Sequence, residues 1–326
     1  MKLGISLTII GLTLMLLIPI SSLVEAQAPL QPTSQGSESV ACPPTFLFQF
    51  GSDGSGPGQF HHPTGMAIDV SARVFVVDLG NDRIEKFGPA GHFLSQFGSY
   101  GSGPGQFSGP YGIAIDKSGN IYVTDPGNFR VQKFNSTGNF VLQFGSQGSG
   151  PGQFSSPHGI AIDKSGNIYV TDWQNNRVEK FNSTGYFLSQ FGSYGSGPGQ
   201  FNAAEGIAID RSGHIYVVDL GNNRIEKFGP AGHFLSQFGS YGSNPGQFSS
   251  PVDIGLDRLG NIYVADWQNN RVQEFNSTGN FVLQFGSYGS GPGQFNAPDG
   301  VALVRSGYIY VADELNNRVE KFSICS

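Results

Sequence analysis

No stretch of this 326-residue sequence concentrates lysine or arginine; 18 Lys and Arg stand against 24 Asp and Glu, and only 13% of residues are charged. Binding to nucleic acid draws on a concentrated basic footprint, so that class of partner is not expected. Histidine is scarce, with six copies, and cysteine scarcer, with two. Beyond the N-terminal segment no apolar stretch has both the length and the 3.6-residue period of a helix. Gly (48) and Pro (19) together stay below the ~25–30% that marks low-complexity chains. What the sequence does hold is aromatic mass, 27 Phe and 12 Tyr, enough for a large core and too much for a chain disordered in water.

Residues 1–28 differ from the rest. Lys2 precedes an apolar stretch, "LGISLTIIGLTLMLLIPI" (3–20), and "SSLVEAQA" supplies small residues for cleavage. This reads as a secretory signal peptide, with a mature chain beginning at Gln27 or Pro29. The alternative is an uncleaved anchor, because 18 apolar residues stand at the short edge of a membrane span. The protein is therefore expected to be secreted or on the cell surface, with membrane contact only if the segment is retained. Residues 29–44, polar and rich in Pro and Ser, read as a flexible leader.

From there to the end the sequence repeats. Variants of "FGSYGSGPGQF" start at Phe50, Phe97, Phe144, Phe191, Phe238 and Phe285, always 47 residues apart. One unit, Gly112 to Phe154, contains four short runs: GIAID, NIYVTD, RVQKF and NFVLQF. Each is rich in β-branched and aromatic residues and bounded by Gly, Asn, Asp, Ser or Pro, which is a strand signal with turn punctuation. Six four-stranded antiparallel sheets result, with strands a to d in each. The last copy stops after "RVEKF" (318–322), and its missing fourth strand matches "TFLFQFG" at 45–51. A chain whose first strand completes its last sheet makes sense only in a closed ring. The expected fold is all-β, a six-bladed β-propeller over residues 45–326. The Gly-rich loop then carries the chain from strand d of one blade to strand a of the next, and the Phe of "GQF" plugs the gap between blades.

The pattern FGSxGSGPGQFxxPxGIAIDxxGNIYVxDxxNxRVxKF, present across about residues 45–322, resembles the NHL repeat. The resemblance implies the propeller fold. It leaves function open, because that family includes an amidating lyase, RNA-binding and protein-binding propellers, and sensor domains of kinases.

Cys42 and Cys325 align with neighbouring positions of an ordinary c–d turn. In the closing blade no covalent turn exists, so a Cys42–Cys325 disulfide is expected to replace it, as export permits. Asp78 and Arg83, with their five repeats, read as partners that close the b–c turn. In the "PxG" opening strand a, the middle residue is Thr64, Tyr111, His158, Glu205, Val252 or Asp299, six different residues in a nearly uniform repeat. These six are expected at the mouth of the central channel. His158, Glu205 and Asp299 form a candidate set of ligands for a metal ion in the channel. A zinc site built from several histidines is not expected from one ring His, and no Ser/His/Asp arrangement or phosphate loop is apparent. Trp173 and Trp267 share one repeat position just after the strand-b Asp, and Tyr100, Tyr194, Tyr241 and Tyr288 lie in the d–a loops on the same face. Aromatic side chains concentrated on one face suggest a contact surface for a protein, peptide or glycan. The opposite face carries "NSTG" turns, with sequons at Asn135, Asn182 and Asn276. The function read from this pattern is an exported binding or scaffolding module, the alternative a metal-dependent lyase or hydrolase at the channel mouth.

Overall fold

A computed structural model describes residues 42–304 and 307–324. The signal segment, most of the leader, and Cys325 lie outside the described residues.

Six four-stranded sheets follow one another. Blade three shows the unit: strand a is Pro157–Ile162, b Ile168–Asp172, c Arg177–Phe181 and d Phe187–Phe191, paired antiparallel in that order. Blade six is assembled from both ends of the described chain: Pro298–Val304, Tyr308–Asp313 and Arg318–Ser323 are joined on the outside by Thr45–Phe50. The register of that closing pair runs from Thr45 opposite Ser323 to Phe50 opposite Val319. The expected closure of the ring by the N-terminal strand is thus present.

Strand b is buried along its whole length in the first five blades, as in Ile121–Asp125 and Ile215–Asp219, and in all but its first residue in the sixth. Its side chains fill both neighbouring interfaces, so it reads as a continuous apolar run and not as an alternation. The Phe of each "GQF" (Phe60, Phe107, Phe154, Phe201, Phe248, Phe295) is fully buried. Phe107 packs in one cluster with Val77 and Ile84 of blade one and with Ile113 and Phe134 of blade two, so it fills the seam between blades.

The Asp–Arg pair does more than close a turn. Asp125 Oδ2 accepts from Arg130 Nε at 2.8 Å, and Asp125 Oδ1 accepts the Ser108 N–H at 2.8 Å. The rest of the guanidinium reaches the Gly-rich loop, where Arg130 Nη1 donates to the Ser102 carbonyl and Nη2 to those of Gly103 and Gln106. Asn128 Nδ2 donates to the Gly101 carbonyl at 2.9 Å. A loop rich in Gly has few side chains to anchor it, and these buried charged donors hold its carbonyls instead. Each Gly-rich loop is thereby locked by the b–c turn of its following blade, which explains why the Asp, Asn and Arg recur with it.

Candidate binding site at the channel mouth

Strand a is irregular where the site is built. Pro157 pairs with Asp172 and Ile160 with Val170, so the ladder shifts across His158 and Gly159. The same shift occurs in blades one, four, five and six. Such an irregularity re-aims side chains, and here it falls at the variable position of "PxG". The glycine that follows is required by crowding. A Cβ on Gly159 would lie 2.4 Å from the Glu205 carbonyl oxygen, and one on Gly112 would lie 2.3 Å from that of His158. The innermost strands thus meet backbone against backbone around the channel.

Five of the six expected ring residues form an interlocked set, and Val252 is buried in the seam of blades five and six. Thr64 Oγ1 donates to the Tyr111 carbonyl at 3.2 Å. Tyr111 Oη donates to Asp299 Oδ2 at 3.1 Å across 188 residues of sequence. His158 Nδ1 lies 2.7 Å from Glu205 Oε1, and its Nε2 lies 3.1 Å from Ser156 Oγ. The imidazole is held between two rings: Tyr111 at 4.5 Å and Trp173 at 5.6 Å between centroids, both stacked. Glu205 Oε2 is buried without a hydrogen-bond partner.

The expected trio His158, Glu205 and Asp299 is brought to one mouth but divided between two contacts. Among the described residues no group of three or more His, Cys, Asp or Glu side chains is arranged to hold a metal ion.

Asp253 was missed in the sequence reading, although a signal was there. It stands where the other five blades have Gly65, Gly112, Gly159, Gly206 and Gly300. Its Oδ2 accepts the Val301 N–H at 2.9 Å, and Gly255 replaces the alanine that the other five blades carry two positions later. Asp253 and Asp299 help line a narrow cavity of about 90 Å³, together with Tyr111, Met66, Ile113 and Ile160. Desolvation pushes the Asp253 carboxyl up to about 6, with Glu205 repelling it further. Burial likewise holds the Asp299 carboxyl well above the usual carboxylate range, reinforced by the charges of Glu314, Asp253 and Glu205.

The two tryptophans divide their roles. Trp173 flanks His158 at the mouth. Trp267 packs against the core between blades five and six and donates its Nε1–H to Glu314 Oε2 at 2.8 Å, while Glu314 Oε1 meets His62 Nδ1 at 3.1 Å. Both rings are half-buried. The loop tyrosines Tyr100, Tyr194, Tyr241 and Tyr288 are 71–76% exposed and stand clear of the core. On the other face, each sequon Asn turns its oxygen to its own loop: Asn135 Oδ1 accepts from Thr137 N and Asn139 N, both at 3.0 Å.

Comparisons with known proteins agree with this architecture. A family model described as a 6-bladed beta-propeller matches residues 165–238 and 248–326, the NHL repeat matches 107–134, and a beta-propeller repeat matches 139–171. The chain is an NHL-type six-bladed β-propeller. No curated protein matches its sequence. Solved structures similar to it include a protein of unknown function from Bacteroides thetaiotaomicron, with TM-score 0.66, 18% identity, and 85% of this chain and 76% of that one covered. A gluconolactonase from Xanthomonas campestris superposes with TM-score 0.65 at 14% identity, covering 87% and 98% of the two chains. Virginiamycin B lyase from Staphylococcus aureus, with quinupristin, gives TM-score 0.58 at 17% identity, covering 87% and 99%. At these identities the likeness concerns the fold.

Proposed function

We propose that this NHL-type propeller is an exported binding module that takes a protein, peptide or glycan at the channel mouth, on the face of the d–a and b–c loops. The observation that carries this reading is the Tyr111–His158–Trp173 stack, set beside an acidic pit in a ring otherwise built from identical units. Aromatic side chains with an exposed edge gain most of their binding energy when a partner covers them, and truncating such an anchor typically costs ~2 kcal/mol or more. Loop tyrosines on the same face extend the surface. Glycans at Asn135, Asn182 and Asn276 would occupy the other face and leave this one clear.

The test is capture of a partner from the native extracellular fraction by immobilised mature protein. Trp173→Ala should weaken capture roughly 30-fold with the thermal midpoint nearly unchanged. Trp267→Ala should also lower the midpoint, because that ring is packed against the core of two blades. Equal capture by Trp173→Ala and the parent protein would remove the mouth as the binding surface. Intact-mass analysis of the exported protein should show a start at Gln27 or Pro29.

A second reading, a lyase or hydrolase at the same mouth, is supported by the His158–Glu205 pair, an imidazole oriented by a carboxylate as general-base catalysis requires. Among the similar structures a gluconolactonase and a lyase are enzymes. Metal analysis of the purified protein separates the two readings: a stoichiometric, tightly held transition metal would favour the metal-dependent enzyme.

A further inference from the structure

We propose that Ser156, His158 and Glu205 form a nucleophilic triad at the channel mouth, with Ser156 the group that attacks an uncharged carboxylic ester. This rests on the second reading above, hydrolysis at the mouth, and gives it a serine nucleophile and a substrate class.

The three side chains stand in the order that acyl transfer requires. Ser156 Oγ lies 3.1 Å from His158 Nε2, and His158 Nδ1 lies 2.7 Å from Glu205 Oε1. With Nδ1–H donated to the carboxylate, Nε2 keeps its lone pair for the serine proton. Tyr111 and Trp173 stack on the imidazole and fix its plane. Glu205 is 2% exposed, and among the described residues its ion pair is with His158. A carboxylate buried there stabilises the imidazolium that forms when the serine gives up its proton. Ser156 itself is only half-buried, so a substrate at the mouth can reach it.

The backbone at Ser156 is built differently from that of every other blade. Its equivalents are His62, Gly109, Ala203, Ser250 and Ala297, all in the left-handed region with φ between 54° and 67°. Each of these five donates its N–H to an Asp or Asn side chain of the preceding blade, as Ala203 does to Asn176 and Ser250 to Asn223. For Ser156 that place is taken by Phe129, which offers no acceptor. Ser156 leaves the left-handed region and turns its N–H to Asp172 Oδ1 at 2.9 Å, beside that of Ser155 at 3.0 Å. Asp172 then stands 3.6 Å from Arg177 Nε, where the other five pairs stand at 2.8 Å, and Arg177 Nε is left buried without a hydrogen-bond partner. A local cost borne in one blade only, at the residue that meets His158, points to a function for the altered backbone. Ser250 is the internal comparison, the same residue at the same repeat position, left-handed and with Val252 in place of the histidine.

Charge sets the substrate class. Glu205, Asp253 and Glu314 all stand close enough to repel the Asp299 carboxylate, so the mouth disfavours an anionic substrate. The rings of Tyr111 and Trp173 beside the histidine suit an ester with an apolar or aromatic group. Ser156 Oγ bonds to the ester carbonyl carbon as its proton passes to His158 Nε2. The carbon–oxygen bond to the alcohol then breaks, and that proton leaves with the alcohol. Water gives a proton to Nε2 as it adds to the acyl carbon, and the acid departs as Ser156 recovers the proton.

The experiment treats the mature propeller at neutral pH with a biotinylated alkyl fluorophosphonate, which loses fluoride as a serine oxygen bonds to its phosphorus. Peptide mapping reads the site, and hydrolysis of phenyl acetate is followed in parallel with and without EDTA. The label should fall on Ser156 and not on Ser250. Ser156→Ala should lose both label and hydrolysis with an unchanged thermal midpoint. Glu205→Gln should slow labelling roughly a hundredfold while the protein keeps its circular dichroism, because an amide no longer fixes the tautomer or supports the imidazolium. Phe129→Asn restores the acceptor for the Ser156 N–H, so it should slow labelling roughly tenfold or more while the protein becomes more stable, opposite signs that a merely structural role would not give. No label on Ser156, or a rate unchanged in both Glu205→Gln and Phe129→Asn, would overturn the inference. Hydrolysis that survives Ser156→Ala and stops in EDTA would overturn it too, and leave the metal-dependent hydrolase in its place. Partner capture that depends on Trp173, with neither label nor hydrolysis, would sink the triad and leave the binding-module reading standing.

Discussion

Phe129 illustrates how much a single residue can depart from its repeat. It sits in the left-handed region at φ 55°, where the equivalent positions are Asp82, Asn176, Asn223, Asn270 and Asn317. Asx side chains tolerate that conformation and a phenyl ring does not reward it. The Asx oxygens also bind the next blade: Asn176 Oδ1 accepts the Ala203 N–H at 2.7 Å, and Asn317 Oδ1 accepts that of His62 at 2.9 Å. At blade two the corresponding Ser156 N–H turns instead to Asp172 Oδ1. Phe129→Asn should therefore raise stability by about 1 kcal/mol through relieved backbone strain and one restored bond. Chemical denaturation at neutral pH checks this, and a lower midpoint would show that the ring contributes packing that outweighs both. Asp253 is the opposite case, a carboxylate placed where glycine is cheaper. Asp253→Gly should raise the midpoint of chemical denaturation at pH 7, and a lower midpoint would show that the bond from the Val301 N–H outweighs the cost of the carboxylate.

At the scale of the strand, one position of strand c carries a cost that the repeat itself exposes. Glu85, Glu179, Glu226 and Glu320 are fully buried beside the loop-holding arginines, whereas blades two and five have Gln132 and Gln273 there. Burial pushes each of the four carboxyls up to about 7, only partly offset by the neighbouring guanidinium. The glutamines suit the site without charge: Gln132 Oε1 accepts the Gly105 N–H at 2.9 Å, and its Nε2 donates to the Gln106 carbonyl at 2.7 Å. The sign of the pH effect follows from these values. Below the ordinary carboxyl value of 4.5, folded and unfolded chains both hold the proton and nothing is lost. Between 4.5 and about 7 the unfolded chain releases protons that the folded chain retains, so stability falls as pH rises and stays low above it. Glu179→Gln should thus gain roughly 3 kcal/mol at pH 8 and almost nothing at pH 4, by the usual conversion of a carboxyl shift into free energy. Thermal unfolding of the parent and the variant at the two pH values tests it. An equal gain at both would mean that packing, and not ionisation, separates Glu from Gln.

For the molecule as a whole, the vulnerable element is the closing blade. Among the described residues its outer strand is held by pairing and packing, with Phe46 against Phe322 at 5.9 Å and Phe50 against Phe87 at 4.7 Å. Thr45 opposite Ser323 brings the two ends of the ring together, three residues after Cys42 and two before Cys325. We propose that these cysteines are bridged, which would close a loop of about 280 residues and contribute on the order of 5 kcal/mol in the chain-entropy model. Non-reducing peptide mapping should recover the linked pair, and Cys42→Ser should lower the thermal midpoint by several degrees, with hydrogen exchange rising first in Thr45–Phe50. Free alkylation of both thiols in the native protein would refute the bridge.

Much of this was legible in the sequence, for a physical reason. A 47-residue period fixes the number of sheets, and a truncated last copy with a matching first strand fixes the closure, because both are statements about order along the chain. The variable residue of "PxG" was legible too, as the position where an otherwise uniform repeat breaks. Tertiary structure alone decided which of those residues meet. Tyr111 finds Asp299 188 residues away, and His158 takes Glu205, because neighbouring blades set their first strands carbonyl to glycine around one axis. It also decided that the arginines hold the Gly-rich loops, a contact between groups about 27 residues apart that turn chemistry does not encode. The weight of Asp253 lay in the same place. As a letter it is one more aspartate; it becomes a half-buried carboxylate beside Asp299 only when the ring closes.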